Sequence, residues 1–167
     1  MRRIIFILTI LLAGATLSAQ TIGTANLYQK YRGQRGVVSL YLPGFVMKFA
    51  ANIADLDAEE DALLRSVRSI RVLTIDDAER FPEANFVRES RIKPGQGGFQ
   101  MLIEVSDDGE DVMILGKERK GKLKELLVVV GGDENVLVHI RGRLNADMLG
   151  SISNIAGLDD FDFTSQL

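Results

Sequence analysis

Much enzyme chemistry is closed to this chain by its inventory. It holds no cysteine and a single histidine, His139. Zinc sites usually draw on several His or Cys ligands, so that kind of ligation has nothing to build on. A Ser–His–acid triad would have to use His139, which lies between Val138 and Ile140 in a strand-like run with no nucleophile-elbow sequence nearby. A structural hydrogen bond on a sheet face accounts for that histidine more simply. The acidic run from Ser106 to Asp111 (SDDGED) does not have the EF-hand spacing, which combines alternating acids with a glycine at the sixth position and a glutamate at the twelfth. Its Asp108-Gly109 pair reads as a tight hairpin turn, which requires positive φ. Gly33-Gln34-Arg35-Gly36 and Gly95-Gln96-Gly97-Gly98 each follow a helical stretch and precede a strand. That order is the reverse of the one that aims helix amides at a phosphate, so both read as loops. No catalytic, cofactor-binding or metal-binding residue is assigned, and no cofactor is expected.

What remains is charge. Lys117-Glu118-Arg119-Lys120-Gly121-Lys122-Leu123-Lys124 places five basic residues on one hairpin of a chain whose formal net charge is −3. His139, Arg141 and Arg143 extend this patch if the last strand is its neighbour. Contact with an anionic partner is one reading: a phospholipid or glycan surface, or an acidic envelope protein. The other is a solvated hairpin tip whose lysines discourage edge-to-edge aggregation, which is the commoner fate of such runs. The acidic balance argues against nucleic acid.

These residues must be held by strands. From Gln100 to Arg143, period-two alternation and β-branched runs are broken by Asp-Gly, Lys-Gly and Gly-Gly, the pattern of a four-stranded meander. Leu126 to Val130 is apolar throughout and should be the most central strand. In the first meander strand Met101, Ile103 and Val105 should share a face. In the last, Val136, Val138 and Ile140 should oppose Leu137, His139, Arg141 and Arg143.

Upstream, Asn26 can cap a short helix carrying Leu27, Tyr28 and Tyr31. Val37 to Leu42 and Ser69 to Ile75 read as strands. The stretch between them reads as helices, the first burying Phe45, Val46, Phe49, Ala50 and Ile53 and the second Leu63, Leu64 and Val67. More than 25 residues of helix between two strands favours a parallel βαβ pair. Pro82 to Arg91 should form a further helix with Phe86 and Val87 buried. Asn145 can cap a closing helix with a stripe of Met148, Leu149, Ile152, Ile155 and Ala156.

The address is written at the N terminus. Basic Arg2-Arg3, an uncharged apolar run from Ile4 to Leu17 and small residues at Ser18-Ala19 predict a secretory signal over 1–19, cleaved after Ala19 or Gln20. The run is shorter than the roughly 20 residues that span a bilayer. Without a cysteine the chain cannot be a lipoprotein, so it is expected in the periplasm or medium with no transmembrane segment after cleavage. One α+β domain is expected over 20–156, followed by an acidic tail over 157–167, more frayed than folded.

The order YQKYRGQRGVVSLYL, SIRVLTI, LIEVSDDGEDVMILGKERKGKLKELLVVV and VLVHIRGRL resembles the exported bacterial family catalogued as domain of unknown function 4252. The likeness covers about Asn26 to Ala156. Its most specific piece runs from Leu102 to Arg143: the D-D-G turn, the basic K-x-x-K-G-K hairpin and the I-x-G-x-L ending. The resemblance implies a small secreted or envelope protein of Bacteroidetes-type bacteria and no catalytic residues. Many members carry a lipoprotein cysteine, from which this chain departs.

The expected fold class is α+β, a mixed sheet made of a βαβ unit and the antiparallel meander, with helices packed mainly on one face. The expected function is a non-catalytic envelope or periplasmic interaction module. Two alternatives stand. One is a small secreted hydrolase using loop carboxylates, which fits poorly with 7% aromatics and no tryptophan. The other is a carrier of an apolar ligand, with a cavity lined by residues such as Met113, Leu115 and Phe49.

Overall fold

Two dipeptides set the sheet. Asp108-Gly109 and Lys120-Gly121 have positive φ at both residues (41° and 93°, 56° and 68°), the conformation of a two-residue hairpin loop. They join β3 (Gln100–Asp107), β4 (Glu110–Glu118) and β5 (Leu123–Gly131), and β6 (Val136–Leu144) completes the meander as its sequence predicts. The computed structural model describes residues 23–144. The predicted signal at 1–19, the closing helix capped by Asn145 and the tail at 157–167 lie outside the described residues.

Upstream of the meander are α1 (Thr24–Tyr31), β1 (Val37–Pro43), α2 (Gly44–Ile53), α3 (Ala58–Ser66), β2 (Val67–Ile75) and α4 (Phe86–Ser90). The α+β class stands as expected. All six strands form one open antiparallel sheet in the order β1-β2-β6-β5-β4-β3, which places the apolar β5 in its middle beside β6.

The expected parallel βαβ unit is not there, because β1 and β2 pair antiparallel with Val37 opposite Ile75 and Pro43 opposite Ser69. Two helices join these strands, and two helices bring the chain back to where it left. A Cβ on Gly44 would lie 2.7 Å from the carbonyl oxygen of Arg68, so the start of α2 touches the start of β2. The second strand therefore begins where the first ends.

Helices also cover both faces rather than mainly one. On the first face, Leu27 and Tyr31 of α1 and Phe86 of α4 pack with Leu73, Met113, Leu115, Leu127, Val129 and Leu137. On the second, Met47 of α2 and Leu63 of α3 pack in one cluster with Val67, Leu126, Val128, Val138 and Ile140. The cause is in the strands: β4 and β5 are apolar on both sides, and each side needs a cover.

Local departures have local causes. A register shift at Leu102 puts Met101 against the first cluster and Ile103 and Val105 in the second, so the three do not share a face. The predicted helix from Pro82 shrinks to five residues, because Asn85 caps it by accepting the Arg88 N–H and Arg91 ends it at φ 48°. In α2 the buried residues are Met47 and Ala51, while Phe45, Phe49 and Ile53 are 74%, 63% and 70% exposed. Both stripes have helical spacing, so periodicity could not choose between them. Phe49→Ser should shift stability by no more than about 0.5 kcal/mol, whereas Met47→Ala should cost about 2 kcal/mol or more. Urea unfolding midpoints of the two variants check this ordering.

Candidate anion-binding site

The cationic residues of the β4–β5 hairpin gain neighbours from β2 and β6. The last strand pairs directly with β5, Glu125 facing Arg141 across the ladder. A hollow of about 860 Å³ at this end of the sheet is lined by Lys117, Arg119, Lys120, Lys122, Lys124, Arg141 and Arg143. Seven of the eight residues singled out in the sequence thus meet in one place. The eighth, His139, sits one step along β6 and joins the site through Glu125.

Two β-bulges complete it. Arg68 is the residue of β2 left unpaired opposite β6 between Val67 and Ser69, and Lys124 the residue of β5 left unpaired opposite β4 between Leu123 and Glu125. A bulge bends its strand and re-aims a side chain, and both of these side chains line the hollow. Arg68 was not among the sequence candidates, since it stands outside the basic run and nothing in VRSIRV announces a bulge. Gly142 lets β6 approach the junction of α3 and β2 there, because a Cβ on it would lie 2.6 Å from the Ser66 carbonyl oxygen.

Among the described residues, one carboxylate lines this hollow, that of Glu125. It accepts or shares contacts with His139 Nε2 at 3.0 Å, Arg141 Nε at 3.6 Å and Lys117 Nζ at 3.7 Å. Lys117 also lies 5.6 Å from the Phe99 ring centroid, and that ring meets His139 edge-on. With Glu125 so engaged, the remaining cations face one another. Desolvation, and behind it the charges of Arg143, Lys122, Arg68 and Arg119, hold the Lys124 ammonium below its ordinary pKa. An anion entering the hollow would relieve that repulsion.

His139 is the structural histidine of a sheet face. Burial lowers its pKa first; the hydrogen bond and charge of Glu125 act against this, and Arg141 and Arg71 add to the lowering. The unfolded imidazole, near pKa 6.5, therefore binds a proton before the folded one does. Stability from this group is complete above about pH 7 and is lost as pH falls through 6.5 towards the folded-state value. This loss precedes the one from Glu89, whose carboxyl is pushed up by burial but held lower overall by hydrogen bonds from Lys30 and Tyr31. As the only histidine in the chain, His139 gives one imidazole signal in an NMR titration. That signal should titrate below 6.5, and His139→Gln should flatten the stability profile between pH 5 and 7; titration at or above 6.5 would contradict this account.

A second hollow adjoins the first on the same sheet face. It measures about 870 Å³ and is lined by Tyr28, Arg32, Ser39, Tyr41, Arg71 and His139 among others. Tyr41 lines both hollows. The Tyr28 hydroxyl is buried there with no hydrogen-bond partner, and burial raises its pKa to about 12 against the opposing charge of Arg71.

The alternatives meet different geometry. A loop-carboxylate hydrolase needs acids with raised pKa, yet Glu89 and Asp111 both shift down. Asp111 does so through hydrogen bonds from Ser106 and Asn85. An apolar cavity of about 300 Å³ exists on the opposite face, walled by Met47, Leu64, Ile70, Val72, Val138 and Ile140. It is not the cavity expected: Met113 and Leu115 are core residues and Phe49 faces outward. Among the described residues, no helix is long and apolar enough to cross a membrane, and no cluster of three acids or histidines could hold a metal.

No curated protein and no solved structure matches the chain. The family model described as "Domain of unknown function (DUF4252)" matches residues 31–152, a span that takes in every residue of the basic hollow. On that match, the chain belongs to the domain of unknown function 4252 family.

Proposed function

We propose that this protein is a non-catalytic binding module of the cell envelope whose working surface is the basic hollow, and that its partner presents anionic groups. One observation carries the reading. Among the described residues, eight cations from β2, β4, β5, β6 and the β4–β5 loop line one concavity with a single carboxylate, in a chain whose net charge is negative. Charge concentrated against the overall balance is costly to the fold and favours an anion from outside. Export and an envelope location rest on the signal-like N terminus and on what family resemblance implies; fractionation of the producing cells tests them.

The binding test uses the mature protein with phosphatidylglycerol vesicles and immobilised acidic glycan, against neutral vesicles and neutral glycan. Retention on an anionic surface, lost as salt rises well above physiological strength, is expected. Equal behaviour on charged and neutral surfaces would remove the proposal. The apolar cavity supports a second reading, carriage of an acyl-sized ligand, and its volume is at the lower end for small-molecule sites. Displacement of a fluorescent fatty acid, blocked by Val138→Trp, would favour it.

A further inference from the structure

The two hollows form one track. Both open on the same sheet face and share Tyr41 as a wall. Tyr41 is 56% exposed on the edge strand, and the Arg71 guanidinium lies 5.1 Å from its ring centroid. Arg71 faces His139 across the β2–β6 ladder, four residues from Arg143, which is about 13 Å along the strand. Beyond Arg71 the second hollow adds Arg32 and, among the described residues, no carboxylate. Among the described residues, neither arginine pairs with an acid. Two of the three tyrosines of the chain line this track, and the buried Tyr28 hydroxyl in its wall lacks a partner.

Such an order of cations, an open aromatic ring and more cations suits one kind of ligand. A single headgroup would be satisfied within the first hollow and would leave Arg71 and Arg32 without a role. A membrane surface is broad and cannot follow a groove across a sheet. A chain of sugars carrying acidic groups does both things: its charges meet the arginines and its apolar ring faces stack on tyrosine, a side chain with an apolar body and a polar tip.

We propose that the ligand is a linear acidic polysaccharide, running from the basic hollow over Tyr41 to Arg71 and Arg32. This rests on the basic hollow being an anion site, as proposed above, and it adds the ligand's length and sugar character.

The test is a length series. The mature protein is titrated with di-, tetra- and octagalacturonate at fixed salt, and with phosphatidylglycerol vesicles in parallel. Affinity should rise at least about tenfold from the dimer to the octamer, as contacts in the second hollow become intramolecular with those in the first. Arg71→Ser with Arg32→Ser, two exposed residues that line only the second hollow, should abolish that gain and leave the dimer's affinity unchanged, while Tyr41→Phe should keep it. Circular dichroism confirms that the variants fold, which the exposure of both residues favours.

Affinity that does not change with length, or a double variant that loses dimer and octamer equally, would overturn the extended track. Binding to vesicles without binding to any uronate would also overturn it while sparing the basic hollow. No binding to uronate or vesicle would remove both.

Discussion

Lys124→Glu combined with Arg143→Glu is expected to weaken binding to an anionic ligand by at least about 100-fold without unfolding the protein. Each hydrogen bond lost between a cation and an anionic ligand lowers affinity by about tenfold or more, so losing two amounts to about 100-fold. The two side chains reach the hollow from adjacent strands, Lys124 from the bulge in β5 and Arg143 from β6. Their repulsion within the unliganded cluster is what presses the Lys124 ammonium below its ordinary pKa after desolvation. Reversal should therefore raise the melting temperature while it destroys binding. Opposite movement of stability and function is the signature of a surface kept for a ligand. Calorimetric titration and a thermal melt on the same sample measure both. A change in affinity under threefold, or a fall in melting temperature, would count against the site.

The largest effect on stability should come from Asn135→Leu, at a cost of about 3 kcal/mol. Asn135 is 3% exposed in the β5–β6 connection. Its side-chain oxygen accepts the Phe86 N–H at 2.8 Å, and its amide donates to the carbonyl oxygens of Gly132 at 2.9 Å and Ala84 at 3.2 Å. One side chain thus satisfies three backbone groups and fixes the start of α4, whose Phe86 is 0% exposed in the first core cluster. Leucine fills the space but leaves all three groups without this partner, the Phe86 N–H and the Ala84 carbonyl in buried positions. Against a total stability of about 5–15 kcal/mol, such a loss is large. It should appear as a lower urea midpoint. Asn135 lies at the start of β6 and the basic hollow at its end, so anion affinity measured in the folded range should not change. A cost below about 1 kcal/mol would show that the pinning of α4 is not limited by these bonds.

The strands of the meander were legible because turn chemistry and alternation agree at every boundary from Gln100 to Leu144. The lone histidine was legible for the same reason: a polar residue at an alternating position needs a partner, and Glu125 is the one it finds. Other features depend on contacts between elements that no local pattern encodes. The direction of β2 is decided by the number of helices before it and by how closely Gly44 approaches Arg68. Which stripe of α2 is buried is decided by how the helix leaves Pro43, since Phe45, Phe49 and Ile53 repeat as regularly as Met47 and Ala51. The basic hollow was readable as a list of charges, with strand neighbourhood the missing condition. Arg68 was not readable, because bulges leave no residue signature when the bulged residue is not glycine.

The basic hollow, at the start of β2 and β5 and the end of β6, is proposed as an anion site. Its most direct test is a residue-resolved NMR titration of the mature protein with inorganic pyrophosphate. We expect saturable shifts concentrated at Arg68, Lys124, Arg141 and Arg143, suppressed in about 0.5 M salt. Shifts that fail to saturate and spread evenly to isolated surface lysines such as Lys48 and Lys93 would contradict it.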